Sequence, residues 1–405
     1  MIVLVLVLDW LLALPAALLL ILSAFFGLQM LAAPRPRAPQ ALPPAGDAGP
    51  RPTVAVLIPA HNEGPGLLPT LHSLQPQLRA GDRVLVVADN CQDDTAAVAR
   101  AAGVEVVERQ NAEQRGKGHA LDFGWRHLRR GLGSCPEVLL IVDADCLVEP
   151  GALDLLARRV GELGRPVQGL YLMQGRPGDG IRQRVAVFAW RVKNHARASG
   201  MTALGWPCQL QGSGMAFPMA VFDQVSLASG HLVEDLQLGL ALAAIGRGAL
   251  LETRVRVTSQ FPVDEQAQQA QRARWEHGHL SMILAALPAF LSGLARRPRL
   301  STLATFLDLA VPPLALLLMM ELATVLASGA WWVFSGRHGP VTLALAGLAV
   351  LMAALTQAWR AQGRDLISGR ELASLAGYVL AKIPLYIRFF TARQTEWIRS
   401  KRDRE

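Results

Sequence analysis

Five apolar residues, 138–142 (VLLIV), run directly into Asp143-Ala144-Asp145. A run this short, β-branched and apolar on both faces reads as a strand buried inside a parallel sheet. Open α/β sheets bind ligands in the crevice at the carboxyl ends of such strands. Two carboxylates one residue apart make a poor core there and a good cation site. Mg²⁺ and Mn²⁺ prefer carboxylate oxygens and commonly share them with phosphates. A solvated loop could carry the same residues, so the rest of the chain has to discriminate.

Strand-like runs at 54–58, 84–87 and 104–107 precede this one. They alternate with helical patterns opening at Glu63, at 94–101 and at 117–128. The first of these carries Leu67, Leu71, Leu74 and Leu78 at helical spacing. Strict alternation predicts a parallel sheet with helices on both faces. Three strands end in polar residues on one edge: His61-Asn62-Glu63, Asp89-Asn90 and Asp143-Ala144-Asp145. Asp93 and Asp94 read as helix caps rather than ligands. No GxGxxG follows the first strand and no GxxxxGK[ST] occurs, so neither the dinucleotide fingerprint nor the P-loop applies.

A mean hydropathy of +0.28 over 405 residues is high for a soluble chain, and the excess lies at the two ends. Residues 10–31 carry no charge and are long enough to span a bilayer. No basic segment precedes them, which disfavours a cleaved signal peptide. Residues 309–332 and 341–359 are further spans. Residues 372–390 are broken by Lys382, Pro384 and Arg388 and read as interfacial. Arg35 and Arg37, then Arg296, Arg297 and Arg299, then Arg360, Arg364 and Arg370 flank the three spans. The positive-inside rule puts the middle of the chain in the cytoplasm and the N-terminus outside. The net charge of +8 then reads as attraction to anionic lipid. No zinc-finger spacing or aromatic RNA-binding signature supports nucleic acid. Cys91, Cys135, Cys146 and Cys208 lack CxxC spacing and read as free thiols.

Five motifs then occur in order: VAVLIPAHNE (54–63), VVADNCQDDTA (86–96), RGKGHAL (115–121), VDADC (142–146), and VED (233–235) with QRARW (271–275). On these the chain resembles the membrane-bound family 2 glycosyltransferases of bacterial exopolysaccharide type, alongside cellulose, chitin and hyaluronan synthases and ceramide glucosyltransferases. The resemblance covers roughly residues 53–300. It implies a GT-A fold: a Rossmann-like, mixed but mainly parallel sheet with helices on both faces, plus transmembrane and interfacial helices. It divides the chain into an anchor (1–32), a Pro/Ala-rich linker (33–52), a cytoplasmic catalytic domain (53–262), the QxxRW segment with an interfacial helix (263–300) and a membrane region (301–405).

The resemblance also implies roles. Glu63, Asp89 and Lys117 would cradle the nucleotide of a UDP-sugar. Asp143 would contact ribose and metal, and Asp145 would hold Mg²⁺ or Mn²⁺. Asp235 would be the base of an inverting transfer, with Glu234 the alternative. Gln271, Arg272 and Arg274 would hold the diphosphate. Trp275 would stack on the acceptor sugar, near the acceptor-side segment Gly212-Ser213-Gly214. The roles of Cys208, Gln209, His277 and His279 stay open.

The expected activity is transfer to a polysaccharide or lipid-linked acceptor at the inner leaflet of a bacterial inner membrane. A polymer synthase, a single-addition lipid glycosyltransferase and an inactive scaffold subunit remain alternatives. Three spans are few for a self-made secretion channel, so export would need partner proteins. A transporter is disfavoured, because the spans carry few ionisable residues beyond Glu321.

Overall fold

The computed structural model describes residues 2–35, 42, 50–130, 135–262, 264–296 and 299–391. Most of the expected linker, the tail from 392, Arg37 and Arg297 lie outside the described residues. The chain separates into two compact units. One contains the sheet and comprises described residues from 50–174 and 206–278. The other contains the long apolar helices and comprises described residues from 2–35, 175–205 and 279–391.

The sheet unit has eight strands: β1 (Val54–Ala60), β2 (Arg83–Asp89), β3 (Glu105–Arg109), β4 (Val138–Ile141), β5 (Leu147–Val148), β6 (Val167–Gln174), β7 (Met215–Pro218) and β8 (Leu250–Gln260). Their order is β3-β2-β1-β4-β7-β6-β8-β5. The four strands expected from sequence form the parallel half, in the order β3-β2-β1-β4. Residues 55–58 of β1 and Leu139 and Ile141 of β4 are completely buried, as apolar runs covered on both faces should be. Antiparallel pairing of β7 with β4 and β6, and of β5 with β8, completes a mixed sheet. Helices Lys117–Arg130 and Ala152–Leu163 pack on it.

Chain order reverses between β1 and β4, since β2 and β3 lie to one side of β1 and β4 to the other. That switch point opens a crevice at the carboxyl ends of the strands. Glu63 follows β1 and Asp143 follows β4, so both acidic loops sit at it.

The boundaries differ from the sequence reading in two informative ways. Strand β3 runs two residues further than expected and ends on buried Arg109. Strand β2 includes Asp89, which lies opposite Arg109 in the ladder. A charged, buried pair thus ends two adjacent strands where sequence pattern predicts loop.

In the other unit, among the described residues, three helices are long and apolar enough to cross a membrane: Val3–Ala32, Leu314–Ser335 and Gly339–Gln362. The second starts at 314 rather than 309, because Pro312 and Pro313 separate it from helix Leu300–Ala310. Residues 372–390 form short pieces, Glu371–Ser374, Leu375–Leu380 and Ile383–Thr391, none of spanning length. Ser23 donates to Glu321 at 2.8 Å, and Gly347 leaves room for that carboxyl.

Residues 175–205, expected inside the catalytic domain, belong to this second unit. Buried Arg197 pairs with Asp308 at 2.9 Å, and Gln29 donates to the same carboxylate at 2.6 Å. Gly200 lies against the backbone of Gln29 so closely that a Cβ could not fit. These contacts bind the excursion to the first and fourth-quarter helices of its own unit.

Candidate active site

Lys117 opens its helix with its ammonium among acidic groups. It lies 2.6 Å from Asp143 Oδ1 and 3.3 Å from Glu234 Oε1, and donates to the Gly212 carbonyl at 2.8 Å. One cation thus ties together the end of β4, the start of helix Glu234–Ala244 and the loop before β7. Burial alone would lower its pKa, but Asp143 and Glu234 outweigh burial and hold it above the usual lysine value. Asp143 is displaced upwards by burial and by Asp145, against the pull of Lys117. Glu234 is raised by burial and by Asp235, again against Lys117. The cluster is therefore more acidic in composition than one lysine can neutralise.

Gly212 explains how the groups approach one another. Its φ of +92° is left-handed, where a side chain is strained. A Cβ there would lie 3.6 Å from Asp235 Oδ2, 3.8 Å from Lys117 Nζ and 4.0 Å from Asp143 Oδ2. The absent side chain thus marks the centre of the cluster. The Asp235 carboxylate also accepts the Leu236 N–H at 2.9 Å, as an acid at a helix start should.

Ser213 and Gly214 lie behind these groups. Ser213 is fully buried, and its hydroxyl accepts the Asp143 N–H at 3.0 Å. Fully buried Gln168, which sequence reasoning missed, holds the same loop. It accepts the Gln211 N–H at 2.9 Å and donates to the Ser213 carbonyl at 2.8 Å. A glutamine at the start of the mainly apolar run 167–173 was the available signal.

Asp143, Asp145 and Cys146 present ligand atoms within 4.8 Å of one another. The Cys146 thiol is buried, and burial with the two aspartates pushes its pKa well up. It stays protonated and soft, a poor partner for a hard cation. The two carboxylates have the donor chemistry that Mg²⁺ or Mn²⁺ requires. Ser259 donates to Asp145 Oδ2 at 3.3 Å.

On the nucleotide side, Asp89 is paired with Arg109 at 2.6 Å, and both are buried. Arg109 also donates to the Gln114 carbonyl at 2.7 Å, which anchors the loop leading to Lys117. Asn62 and Asn90 have φ of +54° and +51°. Their side chains accept the N–H groups of Gln92 and Asn111 at 2.7 and 2.8 Å. His61 donates to the Asp89 carbonyl at 2.7 Å. Glu63 and Gly64 donate their N–H groups to Thr95 Oγ1, at 2.7 and 2.8 Å. Asp93 accepts from the N–H of Thr95 at 3.1 Å, a capping contact as expected, whereas the Asp94 side chain caps nothing.

The QRARW residues lie on helix Glu265–Arg296. Gly278 fits that helix against Val233, where a Cβ would come within 2.6 Å of Val233 Cγ1. Burial lowers the pKa of Arg274, while Glu234, Asp143 and Asp145 attract it from the opposite direction. Arg274 therefore belongs electrostatically to the acidic cluster. Arg272 instead donates to Gln268 one turn earlier, at 3.1 Å. Gln271 and Trp275 are half-buried on the same helix.

A comparison with curated proteins finds no match. Among solved structures, the fold is similar to that of a mannosyltransferase from Pyrobaculum calidifontis, determined with GDP-Man and Mn²⁺. The identity is 20%, the coverage 95% of this chain and 100% of that one, and the TM-score 0.51. Glucosyl-3-phosphoglycerate synthase from Mycobacterium tuberculosis, determined with Mn²⁺, UDP and its product, is 22% identical over 56% of this chain and 80% of its own, with a TM-score of 0.35. The family model described as glycosyltransferase-like family 2 matches residues 50–278, which carry the whole acidic cluster and QRARW. With more than half its length matched, the chain belongs to glycosyltransferase family 2.

Proposed function

We propose that this protein is a metal-dependent, inverting glycosyltransferase. It moves a sugar from a UDP-sugar to a hydroxyl of a polysaccharide or lipid-linked acceptor at the inner leaflet of a bacterial inner membrane. The observation that carries the reading is the Lys117 clamp on Asp143 and Glu234, with Asp145 and Asp235 beside it at the switch point of the sheet.

The residues divide by chemistry. Glu63 and Asp89 offer carboxylates to the base and ribose, with Asp89 held in place by Arg109. Asp143 and Asp145 would hold Mg²⁺ or Mn²⁺, which when bound supplies positive charge to the diphosphate. Arg274, Gln271 and Arg272 are the diphosphate's protein partners, since a guanidinium fork suits phosphate oxygens. Asp235 takes the acceptor's proton as the hydroxyl attacks from the face opposite the leaving group. Glu234 is less suited, because it is already engaged by Lys117 at 3.3 Å. Ser213 and Gly214 are assigned to the acceptor on resemblance; Ser213 positions Asp143 from behind, and Gly214 donates to the Ile141 carbonyl. Trp275 offers its face to the acceptor sugar.

Spans at Val3–Ala32, Leu314–Ser335 and Gly339–Gln362, with basic residues flanking them, support a cytoplasmic catalytic unit. Their small number supports export by partner proteins.

The test is a panel of UDP- and GDP-sugars offered to purified protein in nanodiscs with Mn²⁺, reading released nucleotide. Release from one UDP-sugar is expected. Release from no nucleotide-sugar would favour the scaffold reading, and release from GDP-sugars alone would overturn the choice of base. The anomeric configuration of the product, read by NMR, tests inversion.

A further inference from the structure

A cavity of about 460 Å³ opens beside the acidic cluster, and the roles above do not use it. Helix Glu234–Ala244 and the residue after it form one wall, through residues 234, 235, 237, 238, 241, 244 and 245. This spacing is one face of a helix. From Glu234 to Ile245 the wall runs about 16 Å, at a rise of ~1.5 Å per residue. Leu121, one turn beyond Lys117, faces it, as do Met215 and the loop 224–229. Ser229 donates to Gln237 at 2.6 Å and ties that loop to the helix.

The wall changes character along its length. Glu234 and Asp235 stand at the helix start. Beyond them Leu121, Met215, Leu227, Leu238, Ala241 and Ile245 form an aliphatic strip, with Gln224, Ser226, Ser229 and Gln237 adding polar groups beside it. Among the described residues no aromatic ring lines the cavity, so they offer no flat platform for a row of sugar rings. No lysine or arginine among the described residues lines it either, and Asp235 would repel a phosphate. An aliphatic chain matches the walls, and a hydroxyl matches the carboxylate end.

We propose that this cavity is the acceptor's subsite. Its ligand is an uncharged hydroxyl-bearing lipid, whose aliphatic chain lies along helix Glu234–Ala244 and whose hydroxyl reaches Asp235. This rests on the reading of Asp235 as the base and narrows the acceptor from the broader class proposed above. It excludes a lipid phosphate and a bare polysaccharide from this cavity.

The test uses the full chain in nanodiscs with three probes: a spin-labelled n-alkyl glucoside, a polyprenyl phosphate and a soluble glucan oligosaccharide. Ala241→Phe fills the aliphatic part without touching Glu234 or Asp235. Ala244→Trp, on the same face at a more exposed position, serves if the first variant does not fold. Binding of the alkyl glucoside is read without donor, by spin-label mobility. Either variant is expected to weaken that binding at least tenfold, and to raise the acceptor KM by the same factor in nucleotide release. Nucleotide release without acceptor should stay at the wild-type level. Equal binding by wild type and variants overturns the proposal. So does stimulation of turnover by the polyprenyl phosphate or the oligosaccharide that Ala241→Phe abolishes. Absence of all nucleotide release would sink the transferase reading instead, and the donor-free binding measurement would still decide the cavity.

Discussion

Replacing Lys117 with methionine keeps the length of the side chain and removes its charge. In the native protein that charge lies 2.6 Å from Asp143 and 3.3 Å from Glu234. Breaking a buried ion pair by removing one partner costs about 3–5 kcal/mol. Lys117 and Asp143 keep 18% and 28% of their side-chain surface exposed, so screening by water reduces the figure to about 2–4 kcal/mol. If this energy is lost from the transition state, kcat/KM falls about 30- to 1,000-fold. The pH profile carries the more specific signature. Burial already raises the pKa of Asp143 and Glu234, and Lys117 is the group that restrains both. Without it both rise further, and the ionised cluster requires a higher pH. The acid limb of kcat/KM therefore moves to higher pH, and the variant is more impaired at pH 6 than at pH 8. Steady-state nucleotide release between pH 5.5 and 9 measures this. A variant whose profile runs parallel to the wild type, merely displaced downwards, would refute the reasoning. Lys117 would then act on the donor without setting the charge state of the carboxylates.

Asp145→Asn should abolish metal-dependent turnover and leave the circular dichroism spectrum unchanged, because an amide offers a dipole where the carboxylate offers a full charge; wild-type activity with Mn²⁺ would remove Asp145 from the metal site. Asp235→Asn should reduce transfer about a hundredfold or more, the scale of a lost general base, while equilibrium dialysis shows nucleotide-sugar binding near normal. Trp275→Ala should impair acceptor use more than acceptor-free hydrolysis, whereas Arg274→Ala should slow both; indistinguishable profiles would make QRARW one structural unit. His279 is buried and donates to the Leu309 carbonyl at 2.8 Å, and burial with nearby Lys193 holds its pKa down at about 3, from 6.5. The unfolded chain therefore binds the proton first as pH falls. Stability attributable to His279 is complete above pH 6.5 and declines below it by about 1.4 kcal/mol per pH unit. His279→Gln should flatten the drop in melting temperature between pH 7 and pH 5, and an unchanged slope would count against this account.

The parallel half of the sheet was legible because β1, β2 and β4 are apolar runs buried on both faces, and such runs leave little other choice. The acidic loops were legible as ends of those runs. The other half, which mixes antiparallel pairing with a parallel β6–β8 ladder, was not. Strand β8 alternates buried and exposed residues and includes Glu252, Arg254 and Arg256, so it does not read as a buried run. Arg109 and Gln168 escaped because each is a polar group satisfied inside the protein, and a sequence does not say which polar residues will find partners. The placement of residues 175–205 depended on Arg197 reaching Asp308, more than a hundred residues away. No local pattern encodes such a meeting. The three apolar helices were found because length and composition alone define them; the first starts at Val3 rather than 10, and the proline break moved the start of the second from 309 to 314.

The loops after the first three strands are stitched to one another. His61 holds the backbone of Asp89, Asn62 the backbone of Gln92, Asn90 that of Asn111, and Arg109 that of Gln114. The first three bonds cross from one loop to the next, the fourth ties the third loop to the end of its own strand, and two of the anchoring residues are asparagines in left-handed geometry. The donor side of the site is thus a single woven fabric rather than a set of exchangeable parts. Grafting one loop from another glycosyltransferase would cut threads on both sides of it. A change of nucleotide preference, whether engineered or evolved, has to move residues 61–63, 89–92 and 109–116 as one inheritable block.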